Sequence, residues 1–148
     1  MKFRVISTIN LPFKRMNKLL KDVVIVIEGN NKEYYDMSEE LFKLIKSQPY
    51  SAGRYLGHYR HGILIPSFEL MQEYVNKFDD DYIIIGDRAE QLFVYGRDVF
   101  KSSVISKKGD GPLYIVCNKR KEVLGLSKFE NNIYKNLTDI GLFLRKYA

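Results

Sequence analysis

A chain of 148 residues with 45% apolar and 14% aromatic content has enough surface to bury a real core, which excludes a disordered tail protein. A net charge of +6 and a pI of about 9.3 point to an anionic partner, whether nucleic acid, an acidic membrane or an acidic protein. The single cysteine, Cys117, excludes an internal disulfide and fits a reducing compartment, and no apolar run approaches the length needed to span a bilayer.

The first 21 residues carry six Lys or Arg and no acid, but strand-like FRVISTI argues against a transit peptide. Pro12 opens a predicted helix over 13–21, with Phe13, Met16, Leu19 and Leu20 on its apolar face. VVIVIEG (23–29), the turn Gly29-Asn30-Asn31 and KEYYDM form a predicted hairpin. Ser38 caps a short helix whose stripe is Leu41, Leu44 and Ile45 and which stops before Pro49. Two short strands are expected near 54–59 and 62–65, around the turn Tyr59–His61. Pro66-Ser67 then opens a helix to about Phe78, with Phe68, Met71, Val75 and Phe78 as its buried face.

Asp79-Asp80-Asp81 is polar and the pattern changes after it, so it divides a domain of residues 1–80 from one of residues 81–148. Strands dominate the second part: YIIIG, LFVYG, DVFKSSVI, PLYIVCN and EVLGLSKF, with a turn at Asn118–Lys121. Thr138-Asp139 caps a closing helix, IGLFLRKY. The expected class is α+β. Residues 1–80 carry 12 basic and 10 acidic side chains (+2) and residues 81–148 carry 12 and 8 (+4); eight of the cations fall in 88–121 against three acids there.

Few residues look catalytic. His58 and His61 lack the further ligands a zinc ion needs and the nucleophile a general base would serve, and read as solvated turn residues. Asp79–Asp81 reads as a solvated link rather than a magnesium site. No glycine-rich phosphate loop is present, and Gly109-Asp110-Gly111 lacks the helix such a cradle requires. Cys117, inside LYIVC, reads as a buried side chain. Gly96 and Gly125 interrupt strand-like runs, where glycine permits a bulge or a close approach of a neighbouring backbone.

The stretch AEQLFVYGRDVFKSSV (89–104) is the most informative. Arg88, Arg97, Lys101, Lys107 and Lys108 thread an apolar and aromatic run, which a merely buried strand does not need. With Arg145 and Lys146 they form the candidate RNA-binding set, each cation able to neutralise a phosphate. Tyr95 and Phe100 have the chemistry to stack on a base, although the aromatic-rich composition assigns both to the core.

From Tyr82 onward, YIIIG, AEQLFVYGRDVFKSSV and PLYIVCNKRKEVLGLSKF resemble a PUA domain, a small RNA-binding module. EYYDMSEELFKL, GRYLGHYRHGILIPSFELMQEY and TDIGLFLRKY extend the resemblance over about residues 33–148 to the Nip-seven family of ribosome-biogenesis factors. That resemblance implies an N-terminal α/β domain, mostly antiparallel sheet with helices, packed on a C-terminal PUA pseudo-barrel. It implies RNA contacts at Arg145 and Lys146, and at Arg97 and Lys101. It also implies no catalysis and no cofactor. The expected function is a non-catalytic factor binding precursor RNA of the large ribosomal subunit together with assembly proteins. It is expected to be a monomer away from membranes, cytoplasmic or, in a nucleated cell, nuclear or nucleolar. The alternatives are a protein–protein adaptor in a ribonucleoprotein complex and an accessory protein of RNA modification.

Overall fold

The computed structural model describes residues 3–45, 53–60 and 62–142. By its internal contacts the chain forms two compact units, Met1–Leu70 and Met71–Ala148.

The first unit is built on a five-stranded antiparallel sheet in simple chain order: β1 (Phe3–Ile6), β2 (Val23–Glu28), β3 (Lys32–Met37), β4 (Arg54–Arg60) and β5 (Ile63–Pro66). The predicted hairpin is β2–β3, with Glu28 opposite Lys32 across the three-residue turn. Ile25, Val26 and Ile27 are consecutive and buried, which is why β2 reads as a continuous β-branched run. The segment expected to be an α-helix over 13–21 is a 3-10 helix at Lys14–Leu19; its apolar face is the predicted one, with Phe13, Met16 and Leu19 buried. Helix α1 (Glu39–Leu44) starts as expected, Ser38 Oγ accepting a hydrogen bond from the Leu41 amide at 3.2 Å. Strand β4 runs through Tyr59 to Arg60, so only His61 of the expected turn Tyr59–His61 falls outside it, and that residue lies outside those described. His58 sits within β4, its Nδ1 3.0 Å from the Tyr55 hydroxyl, rather than in a solvated turn.

Helix α2 (Phe68–Phe78) carries the chain from one unit into the other. Its buried face is Leu70, Met71, Tyr74 and Val75, while Phe68 and Phe78, expected inside, are half-buried.

The second unit is a six-stranded sheet made of β6 (Tyr82–Ile85), β7 (Val99–Phe100), β8 (Val104–Lys108), β9 (Leu113–Cys117), β10 (Val123–Glu130) and β11 (Ile133–Asp139). The order is β7-β11-β10-β9-β6-β8, antiparallel except for the β6–β9 pair. The two edge strands, β7 and β8, are joined by a 3-10 turn of only three residues, Lys101–Ser103. A connection that short reaches roughly 14 Å at most, so the two edges must approach and the sheet curls on itself. Its interior is Ile83, Ile85, Phe93, Val99, Tyr114, Val116, Leu124 and Tyr134.

Two predicted strands are revised, DVFKSSVI being split by the Lys101–Ser103 turn into β7 and β8. LFVYG belongs to helix α3 (Asp87–Phe93) and the turn that ends it. Only Phe93 of that helix is buried, so a one-sided surface helix fits the segment. Gly96 is accordingly a helix terminator and not a strand interruption. At φ +90° it donates its amide to Phe93 O (2.9 Å) while the Arg97 amide reaches Leu92 O (3.1 Å), the paired closure of a Schellman motif. Gly125 is the close approach that was expected, against the backbone of β11.

Cys117 is fully buried, and burial pushes its thiol up to about 12. The native protein should therefore resist a thiol reagent such as DTNB at neutral pH and react once urea unfolds it. Rapid reaction without denaturant contradicts this.

Candidate nucleic-acid interface

The candidate residues lie on the segment from α3 to β8. Arg88, Leu92 and Tyr95 are spaced i, i+4 and i+7 and so share one face of α3 and its terminal turn. All three are exposed, Tyr95 at 73%. Phe100, on the edge strand β7, is 62% exposed. Both aromatic residues expected in the core therefore face solvent. The core assignment failed because Phe93 and Val99 fill the interior positions of this stretch.

The turn that carries Tyr95 and Arg97 is pinned. Asn136 on β11 donates its side-chain amide to Phe93 O (3.0 Å), to Arg97 O (3.3 Å) and to Asp139 Oδ2 (3.1 Å), and its backbone amide donates to Asp98 Oδ1 (2.8 Å). One side chain thus ties the end of α3 to β11, holding the exposed ring on a rigid turn. Nothing in the linear chain singles out Asn136, since its partners lie 38 to 43 residues away apart from Asp139. Asp139 also caps the closing helix as predicted, its Oδ1 accepting from the Leu142 amide at 2.7 Å.

The cations fall into three groups. Arg88, Arg97 and Lys107 are exposed and form no ion pair among the described residues; Lys101 is exposed and its ammonium lies 5.6 Å from the Phe129 ring centre. Lys108 is different: its ammonium is bound to the Asp79 carboxylate, which also receives Lys121 Nζ at 2.6 Å and the Tyr82 hydroxyl at 2.6 Å. Hydrogen bonds from Lys108, then Lys121, then Tyr82 hold the Asp79 carboxyl far below its usual range. The acidic run expected to be a solvated link is therefore engaged, and Asp81 likewise accepts from the Tyr74 hydroxyl at 2.5 Å. Arg145 and Lys146 lie outside the described residues. Lys121 belongs to the Lys119–Lys121 basic cluster, and its convergence with Lys108 on one acid is not visible in sequence, because those residues are 29 and 42 positions from Asp79.

The unpaired cations are tied to one stretch of chain. Arg97 and Lys101 flank β7, and Lys107 lies near the far end of β8. Gly86, before α3, faces the Ile105 side chain of β8, which brings the start of α3 beside that strand. Leu92 and Ile105 are also exposed, at 45% and 59%, so the exposed side chains of this segment are aromatic, aliphatic and cationic.

Comparison with known proteins agrees with the curled sheet. The family model described as the UPF0113 PUA domain matches residues 81–148. A UPF0113 protein of Archaeoglobus fulgidus is 31% identical over 140 aligned positions, covering 82% of this chain and 78% of that protein. A conserved PUA-domain protein from Thermoplasma acidophilum has a similar fold, with a TM-score of 0.59 at 16% identity over 86% of this chain and 83% of the other. The α+β architecture with a PUA-type sheet is thus borne out, and no helix among the described residues is long and apolar enough to cross a membrane. The chain belongs to the UPF0113 family, and its second unit is a PUA domain.

Proposed function

We propose that this protein is a non-catalytic RNA-binding factor of the Nip-seven kind, acting on precursor RNA of the large ribosomal subunit. The observation that carries the RNA reading is the exposure, within residues 88–107, of two rings, Tyr95 and Phe100, and of four cations that form no ion pair among the described residues, Arg88, Arg97, Lys101 and Lys107. Bases stack on aromatic faces irrespective of sequence, and phosphates are drawn to the cations. The assignment to ribosome assembly rests on the motif order of the whole chain: AEQLFVYG, the KSSV segment and the closing TDIGLFLR.

Binding of fluorescent single-stranded RNA across a salt series tests it. If all four cations meet phosphate, log K should fall with log salt at a slope of about −3. Tyr95→Ala and Phe100→Ala should each weaken binding roughly tenfold, within the range for loss of one stacked base. A flat salt response, or no binding at low salt, refutes the proposal.

A second reading, the adaptor, is favoured by Leu92 and Ile105, whose aliphatic side chains suit a protein surface better than a base. Partners captured from RNase-treated extract and lost with Leu92→Ser or Ile105→Ser would support it.

A further inference from the structure

We infer that Lys108, Lys121 and the Tyr82 hydroxyl form a phosphate-binding site that the protein's own Asp79 carboxylate occupies, so that Asp79 competes internally with the RNA backbone. The inference rests on the RNA-binding reading and adds a second, internally occupied phosphate site on the same unit. Three donors from three separate elements converge on one carboxylate. Lys108 comes from the edge strand β8, Lys121 from the turn before β10 and Tyr82 from the start of β6. Both ammonium groups also lie over the Tyr82 ring, 6.0 and 5.2 Å from its centre, so the aromatic face holds them together. Two ammonium groups and a hydroxyl around one oxyanion are what a phosphodiester needs, and a carboxylate presents the same pair of oxygens with the same single negative charge.

The site is accessible. The Lys108, Lys121 and Asp79 side chains are 45%, 35% and 46% exposed. Exposed ion pairs contribute little net stability, so exchanging one anion for another costs little. Lys107, with no ion pair among the described residues, precedes Lys108 on the same edge strand, so the two lysines stand on opposite faces of β8 and the strand carries a cation on each. The neighbouring acids are turned to other partners: Asp81 accepts from Tyr74, and Asp80 Oδ1 accepts from the Asp81 amide at 2.9 Å. Acidification does not open the site, because the lysines keep Asp79 ionised well below neutral pH. Only a competing anion opens it.

Asp79→Asn is the test. Asp79 has φ +51°, a left-handed conformation that Asn adopts readily, so the variant keeps the backbone and loses the charge. At low salt Asp79→Asn should bind single-stranded RNA about three- to tenfold more tightly, with the salt slope steeper by about 0.7 for each phosphate gained. The triple variant Asp79→Asn, Lys108→Gln, Lys121→Gln should lose that gain. Asp79→Gly, which also suits the left-handed backbone, replaces Asp79→Asn if circular dichroism shows the latter misfolded. Unchanged affinity and slope, or a gain that survives in the triple variant, overturns the inference. Calorimetric titration with inorganic phosphate forms the second arm: saturable phosphate binding with no gain for RNA overturns the assignment to a backbone phosphate. Wild-type protein that binds RNA while Asp79→Asn changes nothing removes this inference alone. Failure of both proteins to bind RNA removes the parent reading too, whereas binding by Asp79→Asn alone supports the gate.

Discussion

Gly125→Ala should destabilise the protein by about 3 kcal/mol or more, enough to threaten the fold of the second unit. A Cβ at this position would lie 2.0 Å from Thr138 O and 2.9 Å from both Asp139 Cα and the Phe93 ring. The φ of Gly125 is not in the left-handed region, so the obstacle is space and not backbone strain. Thr138 O belongs to the paired strand β11, opposite an irregularity in β10, and cannot move without breaking the ladder. Phe93, the buried anchor of α3, would be displaced as well, and with it the turn that presents Tyr95. The expected result is a large fall in the urea midpoint together with weaker RNA binding. Gly29→Ala is the control: nothing lies within 4 Å of a Cβ there, so its stability should be unchanged within experimental error. Equal stability of Gly125→Ala and the parent would show that β10 and β11 are further apart than described.

The second large effect is expected in the first unit. Asp36 is fully buried and pairs with Arg54 directly across the β3–β4 ladder, Arg54 reaching Asp36 Oδ1 at 3.0 Å through Nε and Oδ2 at 2.8 Å through NH2. The Lys21 amide donates to Asp36 Oδ2 at 2.7 Å, and Arg54 NH2 also donates to Leu19 O at 2.9 Å. The pair thus ties the 3-10 segment to the sheet. Removing one partner strands the other charge out of water, which costs about 3–5 kcal/mol. Asp36→Ala and Arg54→Ala should each lower the urea midpoint by a comparable amount. The double change Asp36→Leu with Arg54→Met should cost less than either single change, because no charge is then left unpaired. A double variant as unstable as the sum of the single ones would mean that the pair does not act as a unit.

Where a local rule decides the structure, the chain could be read directly. The β-branched run of β2 and the Gly29-Asn30-Asn31 turn predict a hairpin, and the structure contains it. Ser38 and Asp139 each cap a helix with a side-chain oxygen, and Asn118 accepts from the Lys121 amide at the expected turn. Helix α3 shows where such reading stops. LFVY is a short apolar run without one clear period, and only its burial reveals a helix with a single inward residue. Gly96 was the available signal, since glycine after such a run also marks a helix end.

The candidate interface shows the same division. Which residue types it uses, aromatic rings among cations between Arg88 and Lys108, is legible in order along the chain. Which of them are free is not. Tyr95 and Phe100 face water because Phe93 and Val99 take the interior places, and Lys108 is held because Asp79 and Lys121 meet it.

By itself, the sequence determined the strands and helices governed by caps, turns and period, the α+β class and the basic bias of the second half, because each depends on residues a few positions apart. Only the tertiary structure decided which aromatic rings are exposed, which lysines are neutralised and where β10 and β11 close on Gly125. Those outcomes depend on strand register and on contacts tens of residues apart, and a charge or a ring acquires its role only when its neighbours in space are known.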